Sequence, residues 1–166
     1  NFISYETGQP THCYDAKKIK DVISLNISNE DTSFHTLSDK KINLTGRNLV
    51  FSMNKEVINL AGIIGGKSTA CSSETLSVIV ECAHFNPEDI IGKSLKYNVI
   101  SDASYKFERG VDPLCHERVL RRFLKIVDEH ATITNVELKK HQFNEYNQIQ
   151  IPSDLSFINK IIVCLI

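Results

Sequence analysis

Residues 42–66 read INLTGRNLVFSMNKEVINLAGIIGG, and the rhythm of this stretch decides the fold. Ile42–Leu44, Leu49–Met53 and Val57–Ala61 are short apolar, β-branched runs parted by polar turns, the pattern of consecutive strands. Gly62–Gly66 then forms a glycine-rich loop.

Working outward toward the N-terminus, Phe34–Leu37 and the stretch 19–28, with Ile19, Val22, Ile23, Leu25 and Ile27, read as further strands. Residues 1–6 read as another strand, and 8–15 as the loop that follows it. Toward the C-terminus, Leu76–Glu81 reads as a buried strand. Asn86-Pro87 is a helix start, with an N-cap residue, proline at the first helical position, and Glu88 and Asp89 complementing the dipole. Asp112-Pro113 repeats that signature. The helix it opens carries Leu120, Phe123, Leu124 and Val127 on one stripe, with Arg118, Arg121, Arg122 and Lys125 outside it. Residues 132–139 return to strand. Many strands with a few interposed helices give an α+β class: mixed or antiparallel strands in layers, with a few packed helices.

The polar stretch 141–148 reads as a linker, leaving 1–140 as one domain and 149–166 as the opening of a following module, where Ser153 is placed to cap a helix. The chain opens on Asn1-Phe2-Ile3 without a methionine and stops inside an apolar run, so it is expected to be a piece of a longer protein.

Charge and cysteine pattern narrow the function classes. Nineteen basic and 20 acidic residues give a net charge of −1, too balanced to draw in nucleic acid from a distance; contact with RNA would be local. Cys13, Cys71, Cys82, Cys115 and Cys164 are scattered, with no CxxC pair, which argues against a disulfide framework or zinc cluster and for reduced thiols in the cytoplasm. The apolar run 161–166 is far too short to span a bilayer.

Generic motifs add little. Ala61–Ser68 fits a loose phosphate-loop pattern, but such a loop needs a helix directly after the Lys-Ser pair, and the polar residues 69–74 read as a turn leading to a strand. The histidines lack HxxxH or HxH spacing, so no metal site is expected, and no serine or cysteine sits in a Gly-x-Ser-x-Gly elbow.

Four longer blocks carry the specific signal. They are Gly8-Gln9-Pro10-Thr11-His12-Cys13-Tyr14-Asp15, Leu60-Ala61-Gly62-Ile63-Ile64-Gly65-Gly66, Val80-Glu81-Cys82-Ala83-His84-Phe85-Asn86-Pro87, and the thirteen residues Ser101 to Pro113. In order and spacing they resemble the GQPxHAFD-like, AGVMGG-like, ExAxF and TDASYRFERGVDP-like blocks of the editing region in the phenylalanyl-tRNA synthetase β subunit. The resemblance covers roughly residues 1–138, and 149–166 look like the opening of the next β-subunit module.

The resemblance implies an aminoacyl-tRNA ligase subunit whose local activity is post-transfer editing: hydrolysis of misacylated Tyr-tRNA(Phe), with the acceptor end of tRNA(Phe) bound. In such a site Glu81 would accept a hydrogen bond from the tyrosine hydroxyl. Ala61, Gly62 and Gly65 would form a glycine-rich wall that the amino-acid ring approaches closely. Ala103 would be a small wall residue, and Ser101 stands where the family usually has Thr. His12 and Asn1 would lie near the α-amino group and terminal ribose, with His12, Glu81 and Ser101 the residues assigned to catalysis. Departures from the family are Cys13-Tyr14 in place of Ala-Phe, read as a packing change, and Met53 where Asp is common. Glu108, Arg109 and Asp112 are read as charges paired to hold a tight turn. The implied partners are the α subunit, in an α2β2 tetramer, and tRNA(Phe), with no membrane and no DNA. No cofactor is expected in this stretch, ATP and Mg2+ serving the whole synthetase. The alternatives are a non-catalytic scaffold contacting the α subunit and tRNA, or a free-standing editing factor.

Overall fold

The computed structural model describes residues 2–141 and 150–163. The chain divides into two units, Asn1–Asn135 and Val136–Ile166. In the first, chain order runs α1 (Phe2–Thr7), β1 (His12–Asp15), β2 (Ser24–Ser28), β3 (Thr32–His35), β4 (Lys41–Leu44), β5 (Asn48–Met53), β6 (Glu56–Leu60), β7 (Ile64–Gly65), β8 (Val78–Glu81), α2 (Pro87–Ile90), α3 (Lys93–Lys96), α4 (Asp102–Arg109) and α5 (His116–Asp128). Among the described residues every strand pairing is antiparallel: β2-β5-β6-β7 form one sheet, β3-β4 a ribbon, and β1-β8 a second ribbon. This is the α+β layering expected from the sequence.

The three strands of the decisive stretch fold as read, but its glycine-rich end is not all loop: Ile64–Gly65 form β7, paired antiparallel with β6. β5 and β6 join through the two-residue turn Asn54-Lys55, both at positive φ (50° and 68°), the geometry that matches the right-handed twist of a hairpin. Their inner faces, with Phe34, Ile42, Leu44, Val50, Leu60, Ala61 and Ile63, close over Phe85, Ile90, Tyr97, Val99 and Phe107 from the helical segments to make the main core. Ser101 starts α4 with a reciprocal cap: its hydroxyl accepts from the Ser104 N–H at 3.0 Å, while Ser104 Oγ faces the Ser101 N–H.

Several expectations are corrected. Residues 2–7 are helix, not strand: only Ile3 and Ser4 are buried, Thr7 Oγ1 donates back to Ile3 O, and Gly8 at φ 78° closes the last turn onto Ser4 O. The presumed loop 8–15 contains β1, whose partner β8 lies far along the chain and leaves no local sign. β2 begins at Ser24, with Val22 exposed. The span Leu76–Glu81 is buried only toward its end: Leu76 is 87% exposed, β8 starts at Val78, Val78 and Ile79 are exposed, and Val80 and Glu81 are half-buried. α5 starts at His116, three residues past Pro113, because Asp112 Oδ1 first takes the Leu114 N–H and closes a separate turn. Val119 is its one buried residue; with Cys115 at the cap and the half-buried Phe123 and Ile126 it packs on Ile3 and Cys82 in a second, smaller core. That core includes Phe123 of the expected stripe but not the equally half-buried Leu120, Leu124 and Val127. Arg122 accordingly faces α1, where it makes a two-pronged pair with Glu6 at 2.7 and 2.8 Å. Glu108, Arg109 and Asp112 do not pair with one another; Arg109 stacks on the Tyr105 ring at 3.5 Å. Residues 132–139 are not a strand and add no ladder to a sheet.

Within the second unit, α6 spans Leu155–Val163. Asp154, rather than Ser153, takes the capping role by accepting the Ser156 N–H at 2.8 Å. The linker predicted at 141–148 lies, beyond residue 141, outside the described residues. Among the described residues no helix is long and apolar enough to cross a membrane.

Candidate functional site

The β1-β8 ribbon sets His12 directly opposite Glu81, and Tyr14 opposite Ile79. Side chains two apart on a strand share a face, so His12, Tyr14 and Glu81 all emerge on one side. The rings of His12 and Tyr14 meet edge-on, their centroids 4.5 Å apart. Tyr14 donates its hydroxyl to Glu81 Oε2 at 2.7 Å, and Asn59 Nδ2 donates to that same hydroxyl at 2.8 Å.

Both ends of the ribbon are held. At the open end the buried Gln9 amide donates to Pro10 O and Ala83 O, tying the start of β1 to the chain just past Glu81. At the other end Asp15 accepts from Thr75 Oγ1 and from the Lys17 N–H.

Gly65 supplies the floor. It lies opposite Asn59 in the β6-β7 pairing, and a Cβ added there would stand 2.2 Å from His12 Cε1 and 2.7 Å from Nε2. No side chain fits between the imidazole and this backbone, so the glycine is a spatial requirement of the histidine.

The setting decides the charge states. Burial drives the His12 imidazole down to about 4, leaving it neutral at pH 7 with a free lone pair. Burial pushes the Glu81 carboxyl up to about 7, against the opposing pull of the Tyr14 hydroxyl. Burial and the nearby carboxylate raise Tyr14 far above the ordinary phenol range, so it acts as a donor throughout. The flanking thiols Cys13 and Cys82 are pushed up by burial to about 11 and about 12.

The remaining predicted residues form a second group. Ala61 is buried in the main core. Gly62, at φ 71°, turns the chain where an added Cβ would meet Ile90, Phe85 and Phe107 within 3.3 Å, so the rings beside it belong to the chain itself. Ser101 donates to Ile63 O at 2.7 Å while capping α4, and Ala103 packs on the same core. The segment Ala61–Gly65 runs from this group to the His12–Glu81 pair. Asn1 lies outside the described residues.

Tyr14 and Asn59 were missed as site residues. The available signals were the His-x-Tyr alternation, which needs β1 to be recognised as a strand, and a lone amide inside the apolar run Val57–Leu60.

The phosphate-loop reading fails on geometry, since Lys67–Thr69 is a single 3-10 turn and Lys67 Nζ pairs with Asp39 at 2.8 Å. Among the described residues no cluster of three or more His, Cys, Asp or Glu is placed to hold a metal ion. A cleft of about 530 Å3, lined by Phe34, His35, Lys41, Lys55, Glu56 and Lys67 among others, includes neither His12 nor Glu81.

Residues 1–132 match the model of the B3/4 domain family. The chain belongs to the B3/4 domain family. All the predicted site residues, and every element from α1 to α5, fall inside the match. Over 127 residues, 76% of its length, this B3/4 chain is 32% identical to the phenylalanine–tRNA ligase beta subunit of Photorhabdus laumondii and 36% to that of Neisseria meningitidis serogroup B. Over 164 residues, 98% of the chain, it is 27% identical to the beta subunit of Francisella tularensis. The chain spans 16% to 21% of these relatives' own length. The resemblance carried by the four sequence blocks is thus shown: this B3/4 domain is related to phenylalanine–tRNA ligase β subunits.

Proposed function

We propose that this B3/4 domain, within a phenylalanine–tRNA ligase β subunit, hydrolyses tyrosine wrongly esterified to tRNA(Phe). The observation that carries the reading is the cross-strand His12–Glu81 pair standing on a glycine that admits no side chain.

An apolar pocket that accepts phenylalanine rejects tyrosine only weakly, by about 10²-fold, because one added hydroxyl costs little there. A second site that rewards the hydroxyl supplies the missing factor. Glu81 does so through an asymmetry: Tyr14 already donates to Oε2, and a desolvated Oε1 is costly without a donor of its own, which tyrosine brings and phenylalanine does not. In the reaction, water oxygen attacks the ester carbonyl carbon, the bond to the ribose oxygen breaks, and a proton ends on that oxygen. With a pKa near 4, His12 is a weak base, so its part is to orient the ester and the water, with the ribose hydroxyl of the substrate assisting proton transfer. Ser101 supports the wall by fixing the turn at Ile63 to α4, and Ala61, Gly62 and Ala103 keep it compact.

In this reading the α subunit, in an α2β2 assembly, carries aminoacylation with ATP and Mg2+, tRNA(Phe) delivers its acceptor end to the β subunit, and the enzyme is cytoplasmic. The test is release of tyrosine from preformed Tyr-tRNA(Phe) by the complete αβ enzyme carrying this segment, beside a His12→Ala variant and with Phe-tRNA(Phe) as control. Fast release of tyrosine alone, slowed at least tenfold in His12→Ala, is expected. Release at the spontaneous rate, with phenylalanine charging intact, would leave the domain a scaffold.

A further inference from the structure

The bond from Tyr14 to Glu81 already joins a phenol to the carboxylate assigned to read phenols. We propose that Tyr14 is a positioning residue for that carboxylate: its hydroxyl, aligned by Asn59, holds Oε2 and leaves Oε1 to take the hydroxyl of the incoming amino acid. This rests on the editing reading above and names how the reading carboxylate is held.

Three observations support it. First, Tyr14 is 2% exposed, and its ring alone would fill that space as phenylalanine. A hydroxyl buried there is costly unless bonded, and this one is used twice, as donor to Glu81 and acceptor from Asn59. Second, Asn59 is 3% exposed within an apolar strand and reaches the same Oε2 at 3.5 Å, so both donors converge on one oxygen of the carboxylate. Third, the register places Tyr14 on the same face as His12 and in edge contact with it. Locking one oxygen fixes the carboxyl plane, and a fixed acceptor discriminates geometry as well as polarity.

The bond also favours the charged carboxylate, the better acceptor. The titratable groups on the Glu81 face of the ribbon are His12, neutral near pH 7, and Tyr14 itself. The neighbouring thiols of Cys13 and Cys82 emerge on the other face and are protonated at that pH, which leaves the carboxyl as the group that titrates near neutrality.

The experiment is hydrolysis of Tyr-tRNA(Phe) and Phe-tRNA(Phe) by the complete αβ enzyme from pH 6 to 9, for wild type, Tyr14→Phe and Glu81→Gln. Tyr14→Phe keeps the ring, and unaltered phenylalanine charging with a single cooperative melting transition, lowered only by the lost buried bonds, confirms an intact fold. The expected result is a Tyr:Phe selectivity lower by about tenfold at neutral pH, with the midpoint of the pH profile moved to higher pH because the hydrogen bond that favours the carboxylate is gone. Selectivity and profile unchanged or improved in Tyr14→Phe, while Glu81→Gln loses selectivity, would reduce Tyr14 to packing and leave the editing reading standing. Full selectivity in Glu81→Gln would bring down the editing reading and the Tyr14 proposal together.

Discussion

Gly65 and His12 show how a single atom can decide a site. A Cβ on Gly65 would overlap His12 Cε1 at 2.2 Å, so Gly65→Ala must push the imidazole off its strand position. The expected outcome is loss of tyrosyl-ester hydrolysis by at least tenfold, with a stability cost of about 1–3 kcal/mol for the overpacking, read by denaturant unfolding. A second residue-scale prediction concerns pH. The folded pKa of Glu81 is raised, from 4.5 to about 7, so the stability linked to its protonated form is complete below about pH 4.5 and lost as pH rises through 7. That of His12 is depressed, from 6.5 to about 4, so its contribution is complete above about pH 6.5 and lost as pH falls toward 4. Glu81→Gln should therefore gain stability over wild type as pH rises from 5 to 8, by roughly 3 kcal/mol at most. Melting curves of the two proteins that run parallel across that range would show that the carboxyl is not desolvated.

At the scale of elements, Ser101 does two jobs with one hydroxyl, capping α4 and holding the turn at Ile63. Ser101→Ala should cost about 1–2 kcal/mol, the value of a lost N-cap with a lost buried bond, and Ser101→Thr should restore most of it. Equal urea midpoints for wild type and Ser101→Ala would contradict this. The elements also show what was readable beforehand. Hairpins built from neighbours, β3-β4 and β5-β6, announced themselves through alternation and polar turns, because their pairing is local. β1 pairs with β8 across more than sixty residues, and neither strand carries an apolar alternation of its own, so the ribbon that holds the site was legible only in part. α1 reads ambiguously because Phe2 and Ile3 suit a strand as well as a helix, and its cap, Gly8, opens a stretch with the composition of a loop. In α5 an apolar stripe was visible, but which stripe faces inward depends on Ile3 and Cys82, which arrive from elsewhere.

At the scale of the whole first unit, two cores stand under the site. The main core fixes the β5-β6-β7 floor, and the smaller one holds α1 and α5 through Ile3, Cys115 and the fully buried Val119. Val119→Ala should loosen the smaller core alone: amides of α1 and α5 should exchange faster while those of β5 and β6 keep their protection, as expected for separate cooperative units. Uniform loss of protection would mean the two cores unfold as one. The candidate site was legible in the four blocks as a set of residues, His12, Gly65 and Glu81 among them, yet its geometry was not, since Tyr14 and Asn59 join it only through tertiary pairing. The central claim is that Glu81 reads the hydroxyl of a misplaced tyrosine. It is tested most directly by the ratio of tyrosyl- to phenylalanyl-tRNA(Phe) hydrolysis rates in the complete enzyme, wild type against Glu81→Ala. A wild-type ratio well above one that collapses toward one in the variant is predicted; a ratio that survives the loss of the carboxylate would contradict the claim.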